Sequence, residues 1–271
     1  MRIVDRAPRI GGTWQANTYP GVACDVPSHL YSLSRHPNPG WSTAFAPGAE
    51  IRDYLERVVD AEGLREHLDL ASALEDARWD GDQWRLRFTG AGPDRAQALV
   101  LACGRLTEPA IPDIAGLAGY TGAIMHTARW RANEPVQGRR IAVIGTGASA
   151  IQLIPHLHAR GAEVVVFQRT PAWVLPRGAM TEHPTDAMQI RALRARLLAD
   201  DLASPLTDKD AILDRLDLGH HIVGPVLRDH GPQRVAVQHR EDLEPVRHLH
   251  GLGAAVVIAD LNTEAAEQAA K

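Results

Sequence analysis

The order of apolar and polar positions divides the chain into stretches of different period. Arg2 to Arg6 reads as a strand, and Pro8 to Gly12 as the turn after it. Residues 13 to 47 follow no period: Pro, Gly, Asn and Ser alternate with scattered aromatics, which predicts a long ordered loop region of the kind that carries function. Pro47-Gly48 then introduces a helix. Between Glu50 and Glu66 the residues Ile51, Tyr54, Leu55, Val58, Val59 and Leu64 fall largely on one helical face, and Gly63 weakens the end. From Leu74 to Phe88 the period becomes two, with Trp84, Leu86 and Phe88 alternating after an Asp80-Gly81 turn, as in a β-hairpin. The apolar run Ala98 to Cys103 predicts a buried strand. The segment Gly104 to Gly119, rich in Pro and Gly, predicts a linker with a domain boundary close by.

The most informative pattern spans Gly138 to Thr170. Ile141 to Ile144 form a short buried strand, Gly145, Gly147 and Ala150 fill G-x-G-x-x-G/A, Ile151 to His158 supply a helix, Gly161 ends it, and Val164 to Phe167 return as a parallel strand. This is the length of a β-α-β crossover that grips a dinucleotide. Gly145 permits the tight turn, Gly147 lets the backbone approach a pyrophosphate, and Ala150 keeps the helix near the strand, its N–H groups aimed at the phosphates. An NAD-binding unit carries an acid at the tip of the second strand. Gln168-Arg169-Thr170 stands there instead, and a guanidinium prefers a 2′-phosphate, so the unit reads as an NADPH site. Its cofactor-binding positions are Gly145, Thr146, Gly147, Ala148, Ser149, Gln152, Arg169 and Thr170. Beyond Pro176, helical spacing recurs in Ala187 to Asp201 and Asp208 to Leu218.

Composition narrows the class. At 271 residues and 45% apolar content the chain can bury one large core or two smaller ones. A net charge of −4, from 29 basic and 33 acidic residues mixed along the sequence, gives no electrostatic footprint for nucleic acid. No apolar run is long enough to span a bilayer, and Arg2-Ile3-Val4-Asp5 is no signal-peptide core, so a cytoplasmic protein without a membrane partner is expected. Cys24 and Cys103 suggest neither a disulfide framework nor a metal site. His220, His221, His230, His239, His248 and His250 crowd the last fifth of the chain but show no metal-ligand spacing.

Three separated motifs resemble the class B flavin monooxygenases, the Baeyer–Villiger monooxygenases and their flavin-containing monooxygenase relatives. Gly11-Gly12-Thr13-Trp14, Tyr19-Pro20-Gly21 and Asp25 match G-G-x-W-x4-Y-P-G-x3-D throughout. Tyr120, Gly122, His126 and Trp130 are similar to F-x-G-x3-H-x3-W-P/D, with Tyr for Phe and Arg131 in the last place. The NADP unit is the third, and the resemblance covers about Arg2 to Arg177. It implies an α/β fold of two Rossmann-like dinucleotide domains, FAD and NADP as cofactors, and a small organic substrate with O2 as partners. The expected division is a partial FAD domain with linker over 1–132, the NADP domain with a helical extension over 133–246, and a tail over 247–271.

Carried over residue by residue, Asp5 would take the FAD ribose hydroxyls, and Gly12, Thr13 and Trp14 would line the flavin. Asp25 would stand near both the isoalloxazine and the nicotinamide, Tyr31 would contact flavin, and His126 would couple domain movement to chemistry; Asp25 and His126 are the catalytic candidates. The implied reaction passes a hydride from NADPH to FAD and then, through a C4a-peroxyflavin, one oxygen atom of O2 into a ketone or onto nitrogen or sulfur. The same family pattern places a strand and a G-x-G-x-x-G loop ahead of Arg2, and a further stretch with an active-site arginine beyond the NADP unit. The FAD domain is therefore expected to be incomplete, and a remnant that binds NADP(H) without turnover stands as the alternative. Leu249 to Asn262 resembles the second strand of a short-chain dehydrogenase, with Asp260 at the ribose-binding position. Without that family's phosphate loop or its Tyr and Lys, it reads as a buried strand followed by a helix over Thr263 to Lys271.

Overall fold

The computed structural model describes residues 1–104, 107–168, 186, 188–193 and 195–196, together with the backbone of 236–239 and 255–258. The chain divides into two units, residues 1–16 with 48–107 and residues 17–47 with 108–271.

In the first unit, Ile3–Val4 (β1) pairs in parallel with Leu68–Asp69 (β2). Between them run the four-residue helix Thr13–Ala16 (α1) and Gly48–Ala61 (α3), which pack on each other. The sequence extends this second helix to Glu66. It stops instead at Ala61, because Gly63 adopts φ 62°, and the next residues form a short 3-10 turn. Leu74–Trp79 (β3), Trp84–Phe88 (β4) and Asp94–Ala96 (β5) make an antiparallel sheet. The hairpin follows the alternation, with Leu86 and Phe88 buried; β5 is a short polar strand that no alternation announces. Arg2 ties the two sheets of this unit through ion pairs to Asp69 and Asp94, its guanidinium lying 4.8 Å over the Phe88 ring.

The hairpin turn is pinned by Asp80. Its carboxylate accepts from Arg85 Nε at 2.7 Å and from the N–H groups of Gln83 and Asp82 at 3.0 and 3.2 Å, with Arg85 the largest cause holding its pKa at about 2, below the ordinary 3.8. A depressed folded-state pKa gives a contribution that is full above about 3.8 and is lost as pH falls through about 2. In thermal melts, the gap between wild type and Asp80→Asn is therefore expected to be open near pH 5 and to close as the pH approaches 2. A gap that stays constant across this window would contradict the pairing.

The run Ala98 to Cys103 is not the buried strand that its composition predicts. Val100 is 85% and Leu101 66% exposed, and residues 98–104 join no sheet. An apolar run becomes a strand only beside a neighbour that satisfies its backbone. Among the described residues no strand pairs with residues 98–103.

The second unit is built on a five-stranded parallel sheet. Its strands are Ile124–His126 (β6), Arg140–Ile144 (β7), Glu163–Gln168 (β8), Ala236–His239 (β9) and Ala255–Ile258 (β10), in the spatial order β6-β10-β7-β8-β9. Ala148–Ala159 (α4) links β7 to β8 and covers one face. Taking β7 as first, β8 second, β9 third and β10 fourth reproduces the 3-2-1-4 order. Leu153, Leu157, Val143, Val164 and Val166 are fully buried between helix and sheet, together with Tyr19 and Met125. Residues 17–47 carry the short helix Ser28–Tyr31 (α2) and are ordered by Ser28, whose hydroxyl donates to the Thr43 and Ala44 carbonyls and accepts from Ala46 N–H at 2.7 Å. The helical turns after Asp186 start on its carboxylate, which accepts from the N–H groups of Met188 and Gln189 at 2.8 Å each. The predicted helices over 208–218 and 263–271 lie outside the described residues.

Candidate functional site

The site in the second unit begins where β7 ends. Gly145 turns the chain with φ 106°, a conformation open to glycine and strained for side-chain-bearing residues, while its N–H donates to the Phe167 carbonyl at 2.9 Å and holds the turn against β8. Gly147 is the N-cap of α4 and makes no side-chain cap bond; a Cβ placed on it would meet no atom of the described residues within 4 Å. The N–H groups of the first helical turn have no partner within the helix. Ala150 is fully buried, and its small side chain lets α4 sit close to the sheet. The chain leaves β7 toward β8 on one side, and β10 flanks β7 on the other. The carboxyl end of β7 is thus the topological switch point, where α/β sheets bind their ligands. A dinucleotide pyrophosphate fits this cradle: glycine backbone, a positive helix end and an uncapped first turn.

The structure locates Gly145, Thr146, Gly147, Ala148 and Ser149 in this turn. Arg169 and Thr170 lie outside the described residues. Gln152 reaches the segment 19–23. Its Oε1 accepts from the Tyr19 hydroxyl at 2.8 Å and Ala23 N–H at 3.3 Å, and its Nε2 donates to the Ala23 carbonyl at 2.9 Å. Gly21 packs against the same helix so closely that a Cβ would meet the His156 ring and, at 2.5 Å, the Gln152 carbonyl oxygen. The Y-P-G segment is thus fastened to α4. The sequence holds both halves of this contact, 133 positions apart for Tyr19 and Gln152, but no periodicity connects them.

Asp25 and Tyr31 are exposed in the same unit, beyond the fastened segment. His126, at the end of β6, is buried, and its Nδ1 accepts from Ala128 N–H at 3.1 Å, which assigns the proton of the neutral ring to Nε2. Tyr120 is buried, and this raises its phenol pKa above 10.0; its ring lies 2.5 Å from where a Cβ on Gly122 would stand, so the fingerprint glycine makes room for the fingerprint tyrosine. Trp130 packs at the edge of the core under α4.

Asp5, Gly12, Thr13 and Trp14 fall in the first unit. Asp5 follows β1, donates its N–H to the Asp69 carbonyl, and accepts on Oδ1 from Ala7 N–H at 2.8 Å, an Asx turn that aims the loop after the strand. Gly12 and Thr13 open only the four-residue α1. No glycine-rich turn opening a longer helix occurs among the described residues of this unit, so the FAD pyrophosphate finds no cradle in them.

Residues 13–218 match the family model FMO-like, described as flavin-binding monooxygenase-like. The chain belongs to this family. A Baeyer-Villiger monooxygenase of Streptomyces coelicolor is 48% identical over 176 residues, covering 65% of this chain and 34% of the relative. A Baeyer-Villiger monooxygenase of Pseudomonas aeruginosa is 39% identical over 191 residues, 70% of this chain and 36% of the relative. Among solved structures, cyclohexanone monooxygenase with bound epsilon-caprolactone aligns with TM-score 0.61 at 34% identity over 71% of this chain and 38% of the other. Oxidized steroid monooxygenase bound to NADP gives 0.60 at 35% identity, over 72% and 38%. This flavin-binding monooxygenase-like chain thus spans about a third of the length of the curated relatives it matches. β10 lies beyond the matched residues.

Proposed function

We propose that this chain binds NADPH at the carboxyl end of β7 and serves an NADPH- and FAD-dependent monooxygenase reaction that places one oxygen atom of O2 into a ketone or onto a nitrogen or sulfur centre. The observation that carries the reading is the uncapped glycine turn from Gly145 to Gly147 at the switch point of a parallel sheet. Relatives named Baeyer-Villiger monooxygenase, and a steroid monooxygenase bound to NADP, support the reaction class.

In this reading the N–H groups of Ala148 to Ala150 hold the pyrophosphate, and Arg169, with Thr170 beside it, takes the 2′-phosphate. The loop bearing Asp25 and Tyr31 lies against the nicotinamide end, and His126 shapes the β6 edge. NADPH supplies the hydride when bound. Asp5, Gly12, Thr13 and Trp14 are proposed as the flavin-side positions of the first unit. Two free cysteines, one of them exposed, suit the cytoplasm. Among the described residues no helix is long and apolar enough to cross a membrane.

The test is to purify the chain with added FAD, then follow flavin absorbance, NADPH-dependent O2 uptake and ester formation from a cyclic ketone. NADPH binding with at most weak flavin absorbance is the expected result for this chain by itself, since its described residues give the flavin pyrophosphate no cradle; O2 uptake together with an oxygenated product would show that the chain carries the whole reaction. A colourless protein that consumes neither NADPH nor O2 would refute the oxygenation for this chain.

A further inference from the structure

Gln152 stands on the first turns of the helix that receives the nucleotide, where the glycine pattern marks it as a ligand. Its geometry gives it different work. Both ends of its amide are taken by the segment 19–23: Oε1 by the Tyr19 hydroxyl and Ala23 N–H, Nε2 by the Ala23 carbonyl. The contact with Ala23 is two-sided, as one strand would make with another. Gly21, at φ 84°, presses its bare backbone on the Gln152 carbonyl and the His156 ring, closer than any side chain would allow. Tyr19 is buried in the core beneath α4. From Ala23 the chain passes at once into a bridge with Pro47 and a Cys24 N–H bond to the Ala46 carbonyl at 2.9 Å, and Asp25 follows.

We infer that Gln152 is a positioning residue which fastens the Tyr19–Ala23 segment to the nucleotide helix, so that the loop bearing Asp25 is set by the nucleotide-binding unit. This deepens the proposed function and rests on its nucleotide reading. It replaces the expectation that Gln152 touches the cofactor. The three-point contact also accounts for the Y-P-G spacing: Tyr19 reaches the Gln152 oxygen from the core side, Gly21 allows the approach, and Ala23 closes the pair.

Amide hydrogen exchange of the 271-residue chain, read on fragments covering 17–26 and 140–160, tests the fastening. In Gln152→Leu the 17–26 fragment is expected to exchange at least about tenfold faster, while 140–160 stays within about twofold of wild type. Gln152→Glu keeps an acceptor for Tyr19 and Ala23 N–H but cannot donate to the Ala23 carbonyl, so it should fall between the two; Tyr19→Phe, which loses one bond of three, should also be intermediate. In a parallel titration, NADP+ affinity of Gln152→Leu is expected to stay within about threefold of wild type. Unchanged exchange in 17–26 for all three variants would overturn the inference, as would equal acceleration in both fragments, the mark of general loosening. A loss of NADP+ affinity beyond about thirtyfold with loop exchange unchanged would make Gln152 a cofactor ligand instead. If wild type itself binds no NADP+, the nucleotide reading fails while the exchange result still decides the fastening.

Discussion

Val257→Pro is expected to destabilise the second unit by up to about 3 kcal/mol, the cost of a ladder hydrogen bond removed with its acceptor left unpaired, and to weaken NADP+ binding with it. Val257 lies in β10, paired in parallel with Met125 of β6 on one side and Val143 of β7 on the other. In a strand with neighbours on both sides every N–H is committed to the ladder, so proline removes a bond and adds its ring where a strand must pass. At this domain size, 3 kcal/mol corresponds to a fall in Tm of roughly 6–12 °C. Thermal melts followed by circular dichroism measure it. The matching control is Val100→Asp, in an apolar run of similar character that is 85% exposed; it should stay within about 0.5 kcal/mol of wild type. Equal effects at the two positions would refute the place of β10 in the sheet.

Leu153→Ala is expected to cost about 3–5 kcal/mol. Leu153 is fully buried beneath α4 among Tyr19, Val143, Leu157 and Val164. Backbone strands lie on one side and the helix axis on the other, so the site cannot collapse onto a smaller side chain, and the cavity adds to the lost transfer energy. The same side chain holds α4 at the distance that aims its first turn along the β7 turn, so NADP+ affinity should fall along with stability. Denaturant unfolding monitored beside an NADP+ titration checks both. A cost below about 1 kcal/mol would mean that α4 does not rest on this core.

These two apolar runs show what local pattern can and cannot reveal. Leu99 to Leu101 and Val256 to Ile258 have similar sequences. Among the described residues the first has no strand partner, with Val100 and Leu101 exposed, and the other lies between two strands. Apolarity states a willingness to be buried; the neighbour decides whether burial happens, and neighbours distant in sequence leave no trace in the run itself. The β-α-β unit was legible because its strand, glycine turn, helix and return strand are contiguous and each carries its own physical signature. The 74–88 hairpin was legible for the same reason, its alternation and Asp80-Gly81 turn being local. The two-residue β2 and the polar β5 were not, since pairing alone defines them.

At the site, the turn at Gly145 and the helix start at Gly147 were legible in the motif because each is a backbone property. The hydrogen bonds of Gln152 to the 19–23 segment were not. A helix position after a phosphate loop can face the ligand or the neighbouring segment, and only the fold of residues 17–47 back onto α4 decides between them. The first unit shows the converse. Asp5 stands at a strand tip as the pattern demands, yet its Oδ1 serves the turn at Ala7, and the glycine cradle that would accompany a ribose-binding acid is not among the described residues.

The claim on which the proposed function depends is that the turn from Gly145 to Ala150, with Arg169 beyond β8, grips NADPH. Titrating the 271-residue chain with NADPH and with NADH, as wild type and as Arg169→Ala, tests it most directly. Wild type should bind NADPH the more tightly, and Arg169→Ala should lose about 1.5–3 kcal/mol for NADPH, roughly tenfold to a hundredfold, with little change for NADH. Equal losses for the two nucleotides, or no preference in wild type, would contradict it.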